Sequence, residues 1–284
     1  MKTQEWGALK PVVLCADDFA VNASASRGIA QLAAMGRISA TSAMVLSPRW
    51  SQDVALLQDL RGRIDVGLHL DWTSEFAEAS GHGLSLGKAM LKAVLGGFDQ
   101  ATARDVIECQ LEAFEACWQA PPDYVDGHQH VQQFAGIREA LVQALDRRYG
   151  ASQLKPYLRI SRAPPALADL KSRVISVMGA DALELIAAHA GITGAGALLG
   201  IYDFTGDEAR YAGLMAGWLR AAPPLSIIMC HPALKAEAGD VIGAARAQEF
   251  AYLSGADFPE ALAMAGVQLA RFQVRDDKLK SAGE

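Results

Sequence analysis

The sequence predicts a protein of the α/β class, built as a single (β/α) TIM-like barrel. Short apolar runs of the length of a buried parallel strand alternate with longer helical segments along the whole chain. Polar residues follow several of these runs at their carboxyl ends, where such barrels build their sites. No Ser/Pro/Gly-rich or charge-rich linker interrupts the 284 residues, of which 51% are hydrophobic. We therefore expect one large core and one domain over residues 1–284.

The first predicted strand and helix follow from an apolar run and the residues after it. Residues 11–16 are continuously apolar and end at Asp17 and Asp18, as expected of a strand buried on both faces. Asn22 or Ser24 can cap the next helix, because a side-chain oxygen there can accept a hydrogen bond from the first turn. The first half then continues with a strand over residues 40–46, a helix over 48–60, a strand over 63–70, and helices over 85–95 and 101–118.

The third predicted strand, over residues 63–70, has two different faces. Side chains alternate along an extended strand, so every second residue points the same way. The apolar positions on one side are Val66, Leu68 and Leu70, and the polar or small positions on the other are Asp65, Gly67 and His69. An apolar outer face packed on helices and a polar inner face fit a barrel strand.

The second half repeats the alternation. Pro121 and Pro122 end the long helix and lead into a short strand at Tyr124 and Val125. Residues 191–200 are glycine-rich and fit either a loop over the site or a weak strand. The other elements are a helix over residues 135–149, a strand over 157–160, helices over 165–172, 180–190 and 207–220, a strand over 225–230 and a helix over 244–254.

The charge balance and hydropathy exclude some partners. The formal net charge is −6 and no dense Lys/Arg cluster is present, so we expect no nucleic-acid partner and a small or neutral substrate. No apolar run approaches the roughly 20 residues needed to span a bilayer. Residues 1–10 are polar and lack a hydrophobic signal core. The sequence therefore predicts a cytoplasmic protein without a membrane span, and a homo-oligomer is compatible with it.

An acid and two imidazoles are grouped in Asp126-Gly127-His128-Gln129-His130, directly after the fourth predicted strand. A hydrophobic core gains nothing from grouped polar side chains, so the cluster is typical of half a metal site. If the backbone stays extended, His128 and His130 point to the same side, and one can bind metal while the other supports it or contacts substrate. The alternative for this segment alone is a surface loop that carries two histidines.

Three further polar positions follow predicted strands: the pair Asp17 and Asp18, His69, and His231. Taken singly, the aspartates could cap the next helix, and each histidine could be a satisfied core residue. Their shared position at carboxyl ends favours one active site. An aspartate with two histidines leaves positions open on a divalent cation, a second carboxylate can deprotonate water, and a histidine can protonate a leaving amine. Together these groups predict a hydrolase of an amide or ester.

Four segments form a set in this order along the chain: Ala16-Asp17-Asp18-Phe19, Gly67-Leu68-His69-Leu70, Asp126-Gly127-His128-Gln129-His130-Val131 and Cys230-His231-Pro232. As a set they resemble the signature segments of the YdjC-like carbohydrate deacetylases, which include chitooligosaccharide deacetylases and a branch linked to hopanoid biosynthesis. The resemblance implies a distorted (β/α) barrel, a divalent cation and removal of an acetyl group from an N-acetylated sugar. Carried over by position, it implies that Asp18, His69 and His128 bind the cation. It further implies that Asp17 is the base and His231 the acid.

Two positions depart from the pattern of this family. Ala20 stands where glycine commonly follows the phenylalanine, and a backbone with positive φ there would be strained. Gln132 stands where another histidine is common. A glutamine cannot shuttle protons, but it can hydrogen-bond sugar hydroxyls, so this change bears on the substrate more than on the metal.

Four residues near the predicted loops are expected to contact the substrate: His130, Gln132, Arg159 and Trp72. An indole or another aromatic side chain can stack on a pyranose ring, although core packing is an equal alternative for Trp72. Arg159 could instead orient Asp17.

The donor set and the resemblance favour different cations. Two imidazoles and one carboxylate suit zinc or another late transition metal, whereas magnesium prefers oxygen ligands; the resemblance implies magnesium. We therefore expect a divalent cation, either Mg²⁺ or Zn²⁺.

Two other functions stay open. A phosphoester hydrolase would need cationic groups such as Arg159 and Arg162, and a sugar-binding protein would need neither a second carboxylate nor an acid.

Overall fold

The computed structural model describes residues 9–151, 155–164 and 170–272. The strands are β1 Lys10–Phe19, β2 Ala40–Ala43, β3 Asp65–Leu70, β4 Tyr124–Gly127, β5 Tyr157–Arg159, β6 Gly194–Ala195, β7 Leu198–Leu199, β8 Ile227–Cys230 and β9 Val267–Leu269. The α-helices are α1 Ala23–Ala34, α2 Trp50–Asp53, α3 Glu75–Ala79, α4 Leu86–Val94, α5 Gln100–Trp118, α6 Ile137–Tyr149, α7 Leu170–Val177, α8 Ala180–His189, α9 Glu208–Ala221, α10 Gly243–Ser254 and α11 Asp257–Met264. Two 3-10 helices lie at Val54–Leu60 and His128–Gln133.

The strands form one parallel sheet that curls into an incomplete barrel surrounded by helices. Its order is β6-β5-β4-β3-β2-β1-β8-β7, and β9 pairs with the first residues of β1. Within the described part of the chain, the two edge strands β6 and β7 are consecutive but not paired with each other. The α/β TIM-like architecture expected from the sequence is confirmed, as an open half-barrel. Every helix in the described ranges is too short or too polar to cross a membrane.

The two faces predicted for β3 are confirmed. Val66, Leu68 and Leu70 pack in the core between the sheet and the helices. On the inner side, an added Cβ at Gly67 would lie 2.5 Å from the ring of Tyr124, closer than real Cβ contacts. The glycine therefore leaves room for an aromatic ring inside the barrel.

Three segments illustrate how the predicted elements compare with the observed ones. The helix expected over residues 48–60 is a single turn, α2, followed by a 3-10 helix. The glycine-rich residues 191–200 hold the short strands β6 and β7, so the weak-strand alternative is confirmed. The helix expected over residues 165–172 falls largely on residues 165–169, outside the described residues, and α7 begins at Leu170.

The residues after β9 cover the amino-terminal end of the barrel. The Nε of Arg271 is 2.6 Å from Asp65, and one terminal nitrogen is 3.4 Å from Asp123. The ring of Phe272 packs at a tilt against Tyr157, with the centroids 4.4 Å apart. The carboxyl ends of the strands, on the opposite side, surround the cavity described next.

Candidate active site

The end of β1 brings Asp17 and Asp18 to the same cavity. The register between β1 and β2 shifts between Ala16 and Phe19, and Asp18 has a φ of 65°. Such a bulge redirects a side chain that a regular strand would point to the other face. Both carboxylates are at most 2% exposed and line the cavity. The bulge therefore brings both neighbouring carboxylates to one cavity.

Ala20 adopts the left-handed backbone that favours glycine, with a φ of 73°. Its N–H donates to the hydroxyl of Ser26 at 3.1 Å, and its carbonyl accepts from the hydroxyl of Ser47 at 2.7 Å. These two bonds hold the turn, so the loop keeps the conformation despite the alanine.

Asp18, His69 and His128 form a compact group of candidate ligands. Their ligand atoms lie within 4.8 Å of one another. The Oδ1 of Asp18 is 3.3 Å from His69 Nε2 and 3.1 Å from His128 Nδ1. The three residues come from the ends of β1, β3 and β4; β3 and β4 are paired directly, and β2 lies between β3 and β1. One carboxylate and two imidazoles are a donor set that divalent cations accept, so these residues fit the cation that the sequence implies.

Asp126 holds the ring of His69. Its Oδ1 is 2.6 Å from His69 Nδ1, and the hydroxyl of Ser42 is 3.1 Å from the same nitrogen. Donation from Nδ1 to the carboxylate leaves Nε2 for a cation, which is how carboxylates commonly orient metal-binding histidines. Burial by itself lowers the pKa of His69, but the charge of Asp126 outweighs it and raises the pKa to about 10. Sequence reasoning noted Asp126 without giving it this role.

Arg159 holds Asp17 with both terminal nitrogens. The distances are 2.6 Å from Nη1 to Oδ1 and 2.9 Å from Nη2 to Oδ2, and Nη1 is also 2.8 Å from Oδ2 of Asp126. Burial alone raises the pKa of Asp17, but the guanidinium keeps it well below its usual range. Arg159 is fully buried. Its contacts support the alternative in which it orients Asp17 over the substrate contact first expected.

His130 faces the same cavity as His128 but belongs to a different network. The extended backbone considered for this segment is wrong: after Gly127 the chain enters a 3-10 helix in which Gln129 and His130 have φ values of 53° and 64°. His130 Nδ1 is 3.1 Å from the hydroxyl of Ser161. Burial lowers the pKa of His130 to about 3, so its ring is neutral. It is placed beside the ligand group rather than in it.

His231 follows β8 and lines the cavity. Its backbone N–H donates to Glu249, and its ring packs edge-on against Phe204 with the centroids 5.2 Å apart. Its Nδ1 is buried and has no hydrogen-bond partner in the described structure. Burial lowers the pKa of His231 to about 4. The ring is therefore neutral and keeps one nitrogen without an internal partner.

The cavity at this end of the barrel measures about 1120 Å³. Its polar lining includes Asp17, Asp18, His69, His128, His130 and His231, and its apolar lining includes Phe76, Leu86, Met90, Phe134, Met178 and Phe204. A space of this size accommodates a ligand larger than one acetamido group.

Two predicted substrate contacts do not fit their positions. Trp72 is 2% exposed and packs edge-on against His82 and Phe98. Gln132 is fully buried, and its amide donates to the carbonyl of Arg159 and the hydroxyl of Ser161 at 3.1 Å each. Neither lines the cavity, because both are used for internal packing and hydrogen bonding.

Arg246, on α10, is a site residue that sequence reasoning missed. Its Nη2 is 2.7 Å from Oδ2 of Asp18, and its Nε is 2.8 Å from Oδ2 of Asp240. It is 4% exposed. Arg246 is 228 positions away from Asp18 in the chain and lies in no recognisable motif, so no sequence signal marks it.

The charges at the centre form two clusters of the same composition. One is Asp17-Arg159-Asp126, and the other is Asp18-Arg246-Asp240. The four carboxylates and two guanidinium groups carry a net charge of −2, and a protonated His69, whose pKa is raised to about 10, offsets one of these negative charges. A cation bound by His69 would take the place of that proton, because a ligating imidazole is neutral. Buried charge without a partner is costly. A divalent cation carries the charge that would balance the centre.

Comparison with known proteins gives a family and several relatives. A family model described as YdjC-like protein matches residues 11–264. A chitooligosaccharide deacetylase of Enterobacter sp. (strain 638) is 27% identical over 170 residues, which are 55% of this chain and 66% of that protein. A carbohydrate deacetylase of Mus musculus is 28% identical over 151 residues, 49% of this chain and 48% of that protein. The matches thus span between about half and two thirds of these relatives.

Two solved structures share the fold. A protein of Enterococcus faecalis V583, described as a candidate for cellobiose-phosphate cleavage, superposes with a TM-score of 0.67 at 19% identity, covering 94% of this chain and 98% of that one. The Xyl-CE4 domain of a multidomain xylanase from the hindgut metagenome of Trinervitermes trinervoides gives 0.51 at 11% identity, covering 96% and 92%. At such identities the likeness concerns the fold alone.

Proposed function

We propose that this chain, which belongs to the YdjC-like family, is a metal-dependent hydrolase that removes the acetyl group from an N-acetylated sugar or oligosaccharide. One observation carries the proposal. The candidate ligand group of Asp18, His69 and His128 shares a single cavity with a second carboxylate, Asp17, and a histidine, His231. The deacetylase relatives supply the substrate class.

Asp18, His69 and His128 would hold the cation. Two imidazoles and one carboxylate favour zinc or a similar transition metal over magnesium, which prefers oxygen ligands. When bound, the cation would supply Lewis-acid chemistry, polarising the acetyl carbonyl and acidifying water. The excess of two carboxylates over arginines in the two Asp-Arg-Asp clusters supports a divalent ion.

Asp17 would accept the proton of the attacking water. Arg159 holds both of its oxygens and so fixes the direction of the carboxylate. The low pKa of Asp17, set by Arg159 against the opposing effect of burial, makes it a weak base. It therefore suits water that is already acidified.

His231 would donate a proton to the leaving amine. Its ring is neutral in the free protein, because burial lowers its pKa to about 4. Negative charge that develops on the substrate during hydrolysis would raise this pKa and let the ring take up a proton from solvent, which it then passes to the leaving nitrogen as the C–N bond breaks. Its unpartnered Nδ1 leaves a nitrogen for that exchange.

The contacts of the arginines speak against a phosphoester substrate. Among the described residues that line the cavity, Arg159 and Arg246 are the cationic side chains besides histidine, and each lies between two carboxylates. Arg162 pairs with Asp181 and Glu184 instead. A transferring phosphate would find little positive charge that is not already neutralised.

Acetate release tests the proposal. Purified protein, treated with EDTA and then loaded with Zn²⁺ or Mg²⁺, is incubated with N-acetylated monosaccharides and oligosaccharides. We expect acetate from at least one of them and none after chelation. Release of phosphate from sugar phosphates, with no acetate from any N-acetyl sugar, would overturn the assignment.

His128→Ala should lose bound metal and activity together, because it removes one of three ligands. His130→Ala is the matched control, since it removes a neighbouring imidazole that bonds to Ser161 instead. Metal content by atomic absorption should stay close to wild type in this control. If His130→Ala loses the metal and His128→Ala keeps it, the two roles are exchanged.

A further inference from the structure

Arg246 divides the two oxygens of Asp18 between two sets of partners. Oδ2 accepts from Arg246 Nη2 at 2.7 Å. Oδ1 faces His69 Nε2 at 3.3 Å and His128 Nδ1 at 3.1 Å. Arg246 is 4% and Asp18 1% exposed, so water does not readily replace this pairing. One oxygen belongs to the guanidinium and the other to the ligand group.

We propose that Arg246 is a positioning residue that makes Asp18 a one-oxygen ligand and moderates the affinity of the centre for its cation. The inference rests on the cation site of the proposed function and not on its substrate. With Oδ2 engaged by the guanidinium, Asp18 would offer Oδ1 to the cation, which three protein atoms would then hold. Water and substrate could take the other positions on a cation held in this way.

Asp240 fixes the direction of the guanidinium. Its Oδ2 accepts from Arg246 Nε at 2.8 Å and from the side-chain amide of Asn22 at 3.2 Å. Its Oδ1 accepts from the backbone N–H of Ile242 at 3.1 Å. Residues 237–242 line the cavity. Arg246 therefore joins the ligand Asp18 to a loop that contacts the cavity contents.

The guanidinium also sets a positive charge beside the cation site. The guanidinium and a cation a few ångströms away would repel each other. Even with strong screening, this repulsion would raise the dissociation constant of the cation about tenfold or more. With Arg246 present, the three ligands would therefore bind the cation more weakly than they would without it. Cations that prefer many oxygen ligands gain most if the second oxygen of Asp18 becomes free.

Two substitutions separate charge from geometry. Arg246→Met removes the charge but keeps an apolar stem, and Arg246→Lys keeps the charge but lacks the fork that bridges two carboxylates. The EDTA-treated full-length proteins are titrated with Mn²⁺ and with Zn²⁺ against a chelator. The visible spectrum of the Co²⁺-loaded proteins reports the coordination number. Arg271→Met is the matched control, because Arg271 bridges Asp65 and Asp123 at the other end of the barrel.

Arg246→Met is expected to bind Mn²⁺ about tenfold more tightly than wild type, with a smaller gain for Zn²⁺ and a Co²⁺ spectrum of higher coordination number. Arg246→Lys should stay within about threefold of wild type, because its charge is kept, and Arg271→Met should match wild type. General damage to the fold cannot tighten binding. Weaker binding of both cations by Arg246→Met, or an unchanged Co²⁺ spectrum, would overturn the proposal.

If Arg246→Met does not fold, Asp240→Asn carries the test. It removes a negative charge and keeps the guanidinium, so Mn²⁺ binding should weaken about threefold or more; unchanged or tighter binding would overturn the proposal. A wild-type protein that binds no divalent cation refutes both this inference and the proposed function. One that binds a cation but releases no acetate refutes the proposed function alone.

Discussion

Glu249 is a buried carboxyl group whose ionisation should make folding stability depend on pH. It is fully buried, accepts a hydrogen bond from the hydroxyl of Tyr202 at 2.6 Å and another from the backbone N–H of His231. Burial outweighs these bonds and raises the pKa of Glu249 from 4.5 to about 7. Glu249→Gln keeps the shape of the protonated group. Its carbonyl can accept from His231, and its amide can donate to the oxygen of Tyr202.

The sign follows from which state keeps the proton. Between pH 4.5 and about 7, the folded state keeps the proton of Glu249 while the unfolded chain loses it. This contribution to stability is therefore complete at low pH and is lost as the pH rises through that window. Within this window the free energy of unfolding falls by about 1.4 kcal/mol for each pH unit. Over the whole window the fall amounts to roughly 3 kcal/mol. The glutamine side chain does not ionise, so the Glu249→Gln variant does not show this loss of stability.

Urea unfolding followed by circular dichroism, in EDTA at pH 5, 6, 7 and 8, measures the effect. The free energy of unfolding of Glu249→Gln minus that of wild type should rise by about 2 to 3 kcal/mol from pH 5 to pH 8. Glu112→Gln, at an exposed position of α5, controls for removal of one negative charge. A difference between Glu249→Gln and wild type that stays constant across this range would refute the reasoning.

Three further changes test other parts of the structure. Gly67→Ala should lower the free energy of unfolding by about 1 to 3 kcal/mol in urea titrations, because the new Cβ meets the ring of Tyr124; an unchanged midpoint would contradict this. Asp17→Asn should keep its metal content and lose turnover by about a hundredfold or more, whereas rescue of its rate by excess cation would make Asp17 a ligand instead. His231→Ala should slow amide hydrolysis by about a hundredfold and spare activated esters, and equal losses on both would indicate a structural role.

The fold was predictable where the sequence pattern has one physical cause. Continuous apolar runs such as residues 11–16 mark strands that are buried on both faces. In residues 65–70, the alternation of apolar and polar side chains separates the helix-covered face from the barrel interior. Parallel strands place their carboxyl ends at one rim. Asp18, His69 and His128 could therefore be expected to meet before any distance was known.

The backbone detail of the site was not predictable, because it depends on local exceptions to regular geometry. The bulge at the end of β1 and the φ of 65° at Asp18 leave no mark in residue type, since aspartate adopts many conformations. Gln129 and His130 likewise have positive φ, which placed His130 against Ser161 rather than beside His128. A prediction that assumes extended backbone gives neither the bulge nor these positive φ values.

The partners of the ligands were the hardest part to foresee, because charge pairing has no sequence period. Two of the four carboxylates at the centre, Asp126 and Asp240, hold other side chains of the site. Asp126 bonds to His69 and Arg159, and Asp240 bonds to Arg246. Each arginine neutralises about one of the two carboxylates it touches, and the remaining negative charge is costly to bury without further positive charge, from a protonated His69 or from a cation. The excess of carboxylates over arginines at this rim becomes visible only in the folded arrangement, because Asp18 and Arg246 are 228 positions apart in the chain.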